Sequence, residues 1–240
     1  LFEQGCAAND AIGCFNMGSM LYKGERVPAD KAKGAALFVK ACGLGDKDGC
    51  FGAGVAHETG SGVDKDIVVA NDYYSRACDK GNGPGCFNLA NAHYNGTGAE
   101  KDLPKATEYY VRACEGGDVE GCVTAGWSYE KGEGVAIDKS RAAALYETGC
   151  EGGNAIGCFN AGNLYDLGQG VKKDQRKAMR LFERACDAGD ADGCYNAAAG
   201  YANGEGVPRN EAKALAFVKR TLAIDPDHVN GNRALKILEE

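Results

Sequence analysis

The sequence predicts an all-α fold, a solenoid of about six two-helix repeats, and two observations predict it. The twelve cysteines form six pairs, in which the second cysteine follows the first by eight positions and successive pairs are 36 residues apart. Glycine, aspartate, alanine and aromatic residues recur at the same step of 36 residues. Self-similarity at a fixed period of a few tens of residues is typical of stacked repeats that bury a continuous core.

The first helix of each repeat, here named the A helix, begins near the second cysteine of a pair. In the segment CFNLANAHYNGTG, Cys86, Leu89, Ala90 and His93 follow the spacing of one face of a helix. A Gly-x-Gly pair then ends the helix, because glycine adopts a positive φ without a Cβ clash. Small residues along these helices would let neighbours approach closely, at Gly54, Ala90, Gly126 and Gly162.

The second helix, here named the B helix, follows an aspartate. Asp102 stands at the expected N-cap position, and LPKATEYYVRAC follows it with a proline in the first turn, where proline is tolerated. Most copies carry an aromatic residue at one position of this helix, which is occupied by Phe38, Tyr74, Tyr110, Tyr146 and Phe182. A short glycine-containing turn then leads to the next A helix.

Each cysteine pair joins the end of a B helix to the start of the next A helix. Antiparallel helices joined by so short a turn bring two Cα atoms within the roughly 4.4–6.8 Å that a disulfide needs, whereas cysteines of successive repeats lie a helix layer apart. We therefore expect six bridges within the turns: Cys6–Cys14, Cys42–Cys50, Cys78–Cys86, Cys114–Cys122, Cys150–Cys158 and Cys186–Cys194. Such bridges imply an oxidising location, namely the bacterial periplasm, the cell exterior or an organelle lumen.

Metal binding is the alternative use of the cysteines. The sequence has no CxxC motif, and its three histidines are too few to complete six sites. We expect no metal and no cofactor.

The composition limits the partners. The net charge is −7 and the pI about 5.1, so the overall field repels phosphate backbones and argues against nucleic acid. A membrane-spanning helix needs about 18 consecutive apolar residues, and no stretch approaches this length. No signal peptide is visible, and we expect one to have been removed upstream of Leu1.

The register also predicts the organisation of the chain as one solenoid domain over residues 1–240. Residues 1–22 form a partial first repeat, and residues 23–222 form the full repeats. The expected cysteines are replaced by Leu222 and Asn230, so residues 223–240 are predicted to form a C-terminal capping helix. Its apolar edge comprises Ala234, Leu235, Ile237 and Leu238.

The repeat resembles the Sel-like repeats, which are relatives of the tetratricopeptide repeats. The pattern Ala-x-x-Asn-Leu-Gly-x-x-Tyr, Gly-x-Gly-Val, Asp-x-x-Lys-Ala appears here as CFNAGNLYDLGQGVKKDQRKAMRLFERAC. Disulfide-bridged CX7C pairs at this step are similar to the cysteine-rich subclass, typified by the secreted Helicobacter cysteine-rich proteins. The resemblance covers the chain from Cys6 to roughly Thr221. It implies a right-handed α/α superhelix whose concave face binds proteins or peptides, in a chain that we expect to be a monomer.

Carried across by position, the resemblance implies that A-helix residues line the binding face. Eight of them form a set here named the A-helix row: Asn16, Asn88, Asn91, Thr124, Trp127, Asn160, Asn163 and Asn196. Asparagine can hydrogen-bond an extended peptide without reading its sequence, or it can simply bond to the neighbouring helix, and both interpretations stay open. Ser19 lies in the same face, and Tyr22, Glu58, Tyr94, Glu130 and Asp166 continue it; their acidity suits a basic ligand.

Single residues on the A helices also have two interpretations. Trp127 is the only tryptophan, which makes it either a hot spot for binding or a packed indole. His57 and His93 occupy a position that holds tyrosine in other repeats, which favours a place in the core. Packing near the disulfides is the favoured role of Phe15, Phe51, Phe87 and Phe159.

Two further functions are alternatives to peptide binding, and the first is an enzyme that acts on β-lactams or peptidoglycan-like amides. Similar bacterial proteins have been described as penicillin-binding or weakly β-lactamase-like, and Ser128 with Lys131 satisfies the Ser-x-x-Lys motif of β-lactamases. No Ser-Asp-Asn or Lys-Thr-Gly motif accompanies it, so chance is the favoured explanation. Disulfide-rich Sel-like proteins also occur in the mitochondrial intermembrane space, where this chain would be a respiratory assembly factor.

Overall fold

The computed structural model describes residues 2–239, and these form fourteen helices and no strands. The predicted all-α fold and its 36-residue period are therefore confirmed. The chain divides into two compact units, one up to Gly121 and one from Cys122 onward. The first unit contains α1 (Phe2–Ala7), α2 (Ala11–Lys23), α3 (Lys31–Gly43), α4 (Lys47–Thr59), α5 (Ile67–Asp79), α6 (Gly83–Asn95) and α7 (Leu103–Glu115).

Helix α8 (Val119–Lys131) extends into the second unit. The remaining helices of that unit are α9 (Lys139–Glu151), α10 (Ala155–Leu167), α11 (Gln175–Asp187), α12 (Ala191–Asn203), α13 (Glu211–Ile224) and α14 (Val229–Glu239). Even-numbered helices from α2 to α12 are A helices, and odd-numbered helices from α3 to α13 are B helices.

The ends of the helices are fixed by the residues that the repeat pattern singled out. The Asp66 carboxylate accepts hydrogen bonds from the backbone N–H groups of Val68 at 2.9 Å and Val69 at 3.1 Å, and so caps α5. Asp102 caps α7 in the same manner, as predicted. Helix α4 ends at Gly60, whose φ of 69° is left-handed.

The second glycine of the Gly-x-Gly loop serves a different purpose. Gly62 also has a positive φ, of 82°, and a Cβ atom there would collide with the backbone carbonyl of Lys31. In the second unit, a Cβ atom on Gly170 would collide with the backbone of Lys139. Only glycine therefore lets this loop lie against the start of the neighbouring B helix.

The turns between repeats carry the predicted disulfides. Four bridges have Cα atoms 4.4 Å apart and that of Cys78–Cys86 has them 4.5 Å apart, within the range predicted for a turn of this length. Cys114 and Cys122 are disulfide-bonded as well, and residues 2–239 contain no free cysteine. The prediction of disulfides rather than thiols is confirmed.

In the first unit, the core is built around these bridges. Each bridge packs against an alanine of the following B helix: Cys6–Cys14 against Ala41, Cys42–Cys50 against Ala77, and Cys78–Cys86 against Ala113. The buried ring of Tyr74 lies over Gly54, where an added Cβ atom would be 2.5 Å from the ring. The small residue at that position therefore permits the close helix approach that was predicted.

The second unit repeats this packing and adds the C-terminal helix. Tyr146 lies over Gly126, and Phe182 lies over Gly162, with an added Cβ atom 2.8 Å and 2.6 Å from the respective rings. Leu238 of α14 packs against the cluster that contains Phe182. Ile237 remains 67% exposed, so the predicted apolar edge of α14 is only partly buried.

Within residues 2–239, every helix is too short or too polar to cross a lipid bilayer.

Candidate functional site: the polar faces of the A helices

In the first unit, the A-helix row comprises Asn16 on α2 and Asn88 and Asn91 on α6. All three side chains are half-buried. Helix α4 interrupts the row with Gly52, where a Cβ atom would be 3.0 Å from the Phe38 ring. The asparagines are therefore partly accessible, but they are not evenly spaced from one A helix to the next.

Tyrosine hydroxyls of the B helices reach into this row. Tyr74 on α5 donates a hydrogen bond to Glu58 Oε2 at 2.5 Å, and the nearby Asn88 side chain lowers the pKa of Tyr74 as a hydrogen-bond donor would. Tyr110 on α7 donates to Asn91 Oδ1 at 2.6 Å. Each tyrosine thus fixes polar side chains of the A helices, which supports the interpretation in which the asparagines bond to neighbouring helices.

The first unit has a polar cavity of about 170 Å³ beside these hydrogen bonds. Glu58, Tyr74, Asn88 and Asn91 contribute to its wall, together with Asn71 and Thr97. Asn71 is only 7% exposed, and its amide nitrogen donates to the Thr97 carbonyl oxygen at 2.9 Å. The structure therefore brings two predicted residues, Asn88 and Asn91, to one cavity with an acidic side chain.

In the second unit, the row comprises Thr124 and Trp127 on α8, Asn160 and Asn163 on α10, and Asn196 on α12. The asparagines and Thr124 are again half-buried, and Asn196 Nδ2 donates to Asn163 Oδ1 at 3.4 Å. Trp127 is 37% exposed. Its indole is thus neither fully packed nor fully free, and its role in binding stays a prediction.

The second unit also repeats the tyrosine–carboxylate contact. Tyr146 on α9 donates to Glu130 Oε2 at 2.9 Å, and the nearby Asn160 side chain lowers the pKa of Tyr146 as a hydrogen-bond donor would. Glu130 differs from Glu58 because it also accepts a hydrogen bond from Lys131 Nζ at 2.7 Å. Of these two glutamates, only Glu130 is therefore paired with a cation.

The electrostatics of these groups follow from burial and from the carboxylates. Burial raises the pKa of Tyr74 and of Tyr146 far above the usual tyrosine value, and the hydrogen bonds to Glu58 and Glu130 raise it further. Burial alone would raise the pKa of Glu130. The hydrogen bonds from Lys131 and Tyr146, with the charge of nearby Lys139, outweigh it and lower that pKa. Both tyrosines therefore stay protonated as donors at neutral pH.

The serine and the lysine of the Ser-x-x-Lys motif bond to different groups rather than to each other. Ser128 is 3% exposed, and its hydroxyl donates to the Thr124 carbonyl oxygen at 3.1 Å. Lys131 pairs with Glu130 instead. A serine nucleophile needs a base within hydrogen-bond reach, and these side chains bond elsewhere.

The two histidines lie in the packing position that was predicted for them. His93 is 8% exposed, stacks on Tyr109 with ring centroids 5.6 Å apart, and has Nδ1 3.0 Å from the Glu100 carbonyl oxygen. His57 stacks on Tyr73 at the same centroid distance. The phenylalanines near the disulfides also pack on the aromatic residues of the B helices, with Phe15, Phe51, Phe87 and Phe159 at 5.8, 5.8, 5.5 and 6.2 Å from their partners.

Sequence reasoning missed the hydroxyl groups of the B-helix tyrosines. The pattern placed Tyr74 and Tyr146 as packing aromatics, equivalent to Phe38 and Phe182. A signal was present, because tyrosine occupies this position in both repeats where the preceding A helix supplies Glu58 or Glu130. Asn71 was also missed, because the corresponding positions hold alanine, threonine, methionine or leucine.

Comparison with known proteins identifies the repeat. The sequence model of the Sel1 repeat matches six segments that cover most of the chain: residues 11–46, 47–82, 83–118, 121–154, 155–190 and 191–220. No curated protein is significantly similar in sequence to the chain.

Several solved structures are similar to the chain. The crystal structure of c5321, a protective antigen of uropathogenic Escherichia coli with an SLR fold, has a TM-score of 0.84 and 26% identity. It aligns with 98% of this chain, which spans only 50% of the antigen. A Sel1 repeat protein from Oxalobacter formigenes has a TM-score of 0.66 and 22% identity over 89% of this chain and 85% of its own. Helicobacter pylori cysteine-rich protein B is 33% identical over 54% of this chain and 94% of its own, with a TM-score of 0.44.

Proposed function

Because the chain belongs to the Sel1 repeat family, we propose that it is an interaction scaffold that binds an extended peptide or protein segment on its A helices. The A-helix row would make the contacts, with Trp127 as an apolar anchor. Fold alone does not fix a function, so the proposal depends on the chemistry of this row.

One observation carries the proposal: the asparagines of the row keep hydrogen-bonding capacity after their bonds within the protein are counted. Asn91 Oδ1 accepts from Tyr110, while its amide nitrogen has no partner among the described residues. Asn16 has no hydrogen-bond partner among them at all. A half-buried amide that is oriented by the protein and still has a free donor or acceptor suits a peptide backbone, which offers both N–H and C=O groups.

We further propose that the protein works outside the reducing cytosol, in the periplasm or as a secreted protein. Bridges persist in oxidising compartments and are rare where thiol reductants keep cysteines reduced. We also propose that the chain is a monomer and that its partner is basic, since the net charge is −7.

The test is a selection of peptides from a random library against the oxidised protein. The dissociation constant of a selected peptide is then measured by titration calorimetry. We expect Asn88→Ala combined with Asn91→Ala, or Trp127→Ala alone, to weaken binding at least about tenfold, because a few residues dominate such interfaces.

The matched control is Glu108→Ala, which changes an exposed residue on the B helix α7. It should leave the dissociation constant unchanged, while unfolding curves verify that each variant is folded. Selected peptides that bind all row variants as tightly as the wild type would contradict the assignment of the binding face.

A further inference from the structure

We infer that the polar cavity of the first unit binds a primary ammonium group, namely that of a lysine side chain on the bound polypeptide. The inference rests on the proposed function, since it assigns the chemistry of one subsite on the same A-helix face. The cavity is formed by α4, α5 and α6 with the loop at Thr97, and its volume is about 170 Å³.

The donors and acceptors that are not used within the protein indicate which atoms of the cavity can bind a ligand. Asn71 uses its amide nitrogen on the Thr97 carbonyl oxygen at 2.9 Å, so its Oδ1 is the atom left for a ligand. Tyr74 donates its proton to Glu58, so the Asn88 amide can bond the phenol oxygen only as a donor, which leaves Asn88 Oδ1 as an acceptor. Asn91 Oδ1 accepts one hydrogen bond and has a second lone pair.

The oxygen atoms of the cavity can therefore accept hydrogen bonds from a ligand. Asn71 is 7% exposed, and its Oδ1 accepts no hydrogen bond from the residues that the structure describes. Glu58 adds a negative charge, and it forms no ion pair with any residue of the part of the chain that the structure describes. A cationic donor would satisfy both the charge and the amide oxygens.

The distribution of the acceptors over α4, α5 and α6 favours ammonium over guanidinium. An ammonium group has three donors around one nitrogen, which suits oxygens on three helices, whereas guanidinium is a planar fork that prefers a single carboxylate. Ile67 also lines the cavity and gives apolar surface to the methylene stem of a lysine.

The corresponding place beside Glu130 in the second unit has lost these features. Lys139 and Ala143 stand where Ile67 and Asn71 do, and Glu130, the counterpart of Glu58, is already paired with Lys131 at 2.7 Å. The repeat thus supplies its own cation there. A second cavity of this unit, of about 100 Å³, has Asp166 and Asn196 at the positions of Glu58 and Asn88. Gln175 and Met179 replace Ile67 and Asn71 in that cavity, so it lacks the buried amide of the first unit.

The experiment uses two small probes and the intact oxidised protein. Nα-acetyl-lysine N-methylamide carries the ammonium group, and Nα-acetyl-norleucine N-methylamide has the same stem without it. Binding is followed by NMR through the side-chain amide signals of Asn71 and Asn88. We expect the lysine probe to shift these signals and to bind about tenfold more tightly than the norleucine probe, because charge-assisted hydrogen bonds are the strong ones.

Two variants and a matched control locate the binding. Glu58→Gln keeps an oxygen that accepts the Tyr74 hydroxyl, and it should weaken the lysine probe about tenfold. Ile67→Lys introduces the residue found at the corresponding position of the second unit, and it should abolish binding. Glu130→Gln changes the already paired carboxylate and should have no effect.

Equal affinity for the two probes, an unchanged affinity in Glu58→Gln, or equal losses in Glu58→Gln and Glu130→Gln would each overturn the ammonium site. These results do not depend on finding a natural peptide. If no peptide is selected but the lysine probe binds in a Glu58-dependent manner, the scaffold proposal is rejected and the ammonium site is retained. If selected peptides bind equally well to Glu58→Gln, the ammonium site is rejected and the scaffold proposal is retained.

Discussion

At the scale of single residues, tyrosines of the B helices contribute both to the core, through their rings, and to the polar face of the A helices, through their hydroxyl groups. Tyr74 is 1% exposed, yet its hydroxyl reaches Glu58 at 2.5 Å on the neighbouring A helix. Tyr146 does the same to Glu130 in the second unit. One side chain therefore fills the space between helices with its ring and orients a carboxylate with its hydroxyl.

We expect Tyr74→Phe to lower the free energy of unfolding by about 2 kcal/mol, because the ring is kept while the hydrogen bond to the charged acceptor Glu58 is lost. Urea unfolding followed by circular dichroism measures the change. Tyr73→Phe is the matched control, since the Tyr73 hydroxyl has no hydrogen-bond partner among residues 2–239. Equal effects of the two variants would contradict a specific contribution of the Tyr74 hydroxyl.

The raised pKa of Tyr74 also predicts how stability changes with pH. Unfolded tyrosine ionises near about pH 10, whereas burial and Glu58 hold the folded group protonated to higher pH. The stabilisation is therefore complete below about pH 10 and is lost as the pH rises above it, because the unfolded state then releases the proton first. The free energy of unfolding should fall less steeply above about pH 10 in Tyr74→Phe than in the wild type, and parallel slopes would refute this.

Residue identities on the A-helix row could be predicted from the sequence, but their partners could not. Asn88 and Asn91 follow from the register of the repeat. Their bonds to Tyr74 and Tyr110 depend on which side chains two helices bring together in space. Hydrophobic periodicity treats tyrosine and phenylalanine alike, so it predicted that the ring is buried but not that the hydroxyl forms a hydrogen bond.

At the scale of the helices, most boundaries were predictable because capping is local chemistry. An aspartate before most B helices, replaced by Asn210 before α13, and a glycine after each A helix recur in the sequence at fixed positions. The structure places Asp66 and Gly60 at those ends. Helix α14 is the exception: a capping helix was predicted from the loss of the cysteines, while the 67% exposure of Ile237 depends on packing that no local pattern describes.

We expect Asp66→Ala to destabilise the protein by about 1 kcal/mol, because it removes the side chain that accepts from the backbone of Val68 and Val69. Asp72→Ala, on the exposed face of the same helix, is the control and should be neutral or slightly stabilising, since alanine has the higher helix propensity. Thermal unfolding of both variants gives the comparison. A loss in Asp72→Ala as large as that in Asp66→Ala would argue against the cap.

At the scale of the whole chain, the architecture was predictable because each repeat obeys the same local rules. The register of six CX7C pairs gave the number of repeats, and the short turns gave the connectivity of the bridges. The chemistry of a partner was less predictable, because it resides where repeats deviate. Asn71 and Ile67 in one repeat, against Ala143 and Lys139 in another, distinguish two surfaces that the period makes equivalent.

The same locality predicts how the molecule responds to the loss of one bridge. In the chain-entropy account, a disulfide across so short a loop stabilises by about 2.5 kcal/mol, and repeats that contact only their neighbours confine the effect to the region of the bridge. Replacing Cys42 and Cys50 by alanine should therefore accelerate amide hydrogen exchange in α3 and α4 and leave α11 and α12 unchanged. Replacing Cys186 and Cys194 should give the converse pattern.

Mass spectrometry of the exchanged peptides, under non-reducing conditions until quench, distinguishes local from global effects. Accelerated exchange along the whole chain in either variant would mean that the repeats unfold as one cooperative body. In that case every bridge would stabilise the same global unfolding equilibrium. The loss of any one bridge would then destabilise the cavity at Glu58 as much as the turn that the bridge spans. Local acceleration would instead leave that cavity intact when the Cys186–Cys194 bridge is removed, so the lysine probe should bind this variant with wild-type affinity.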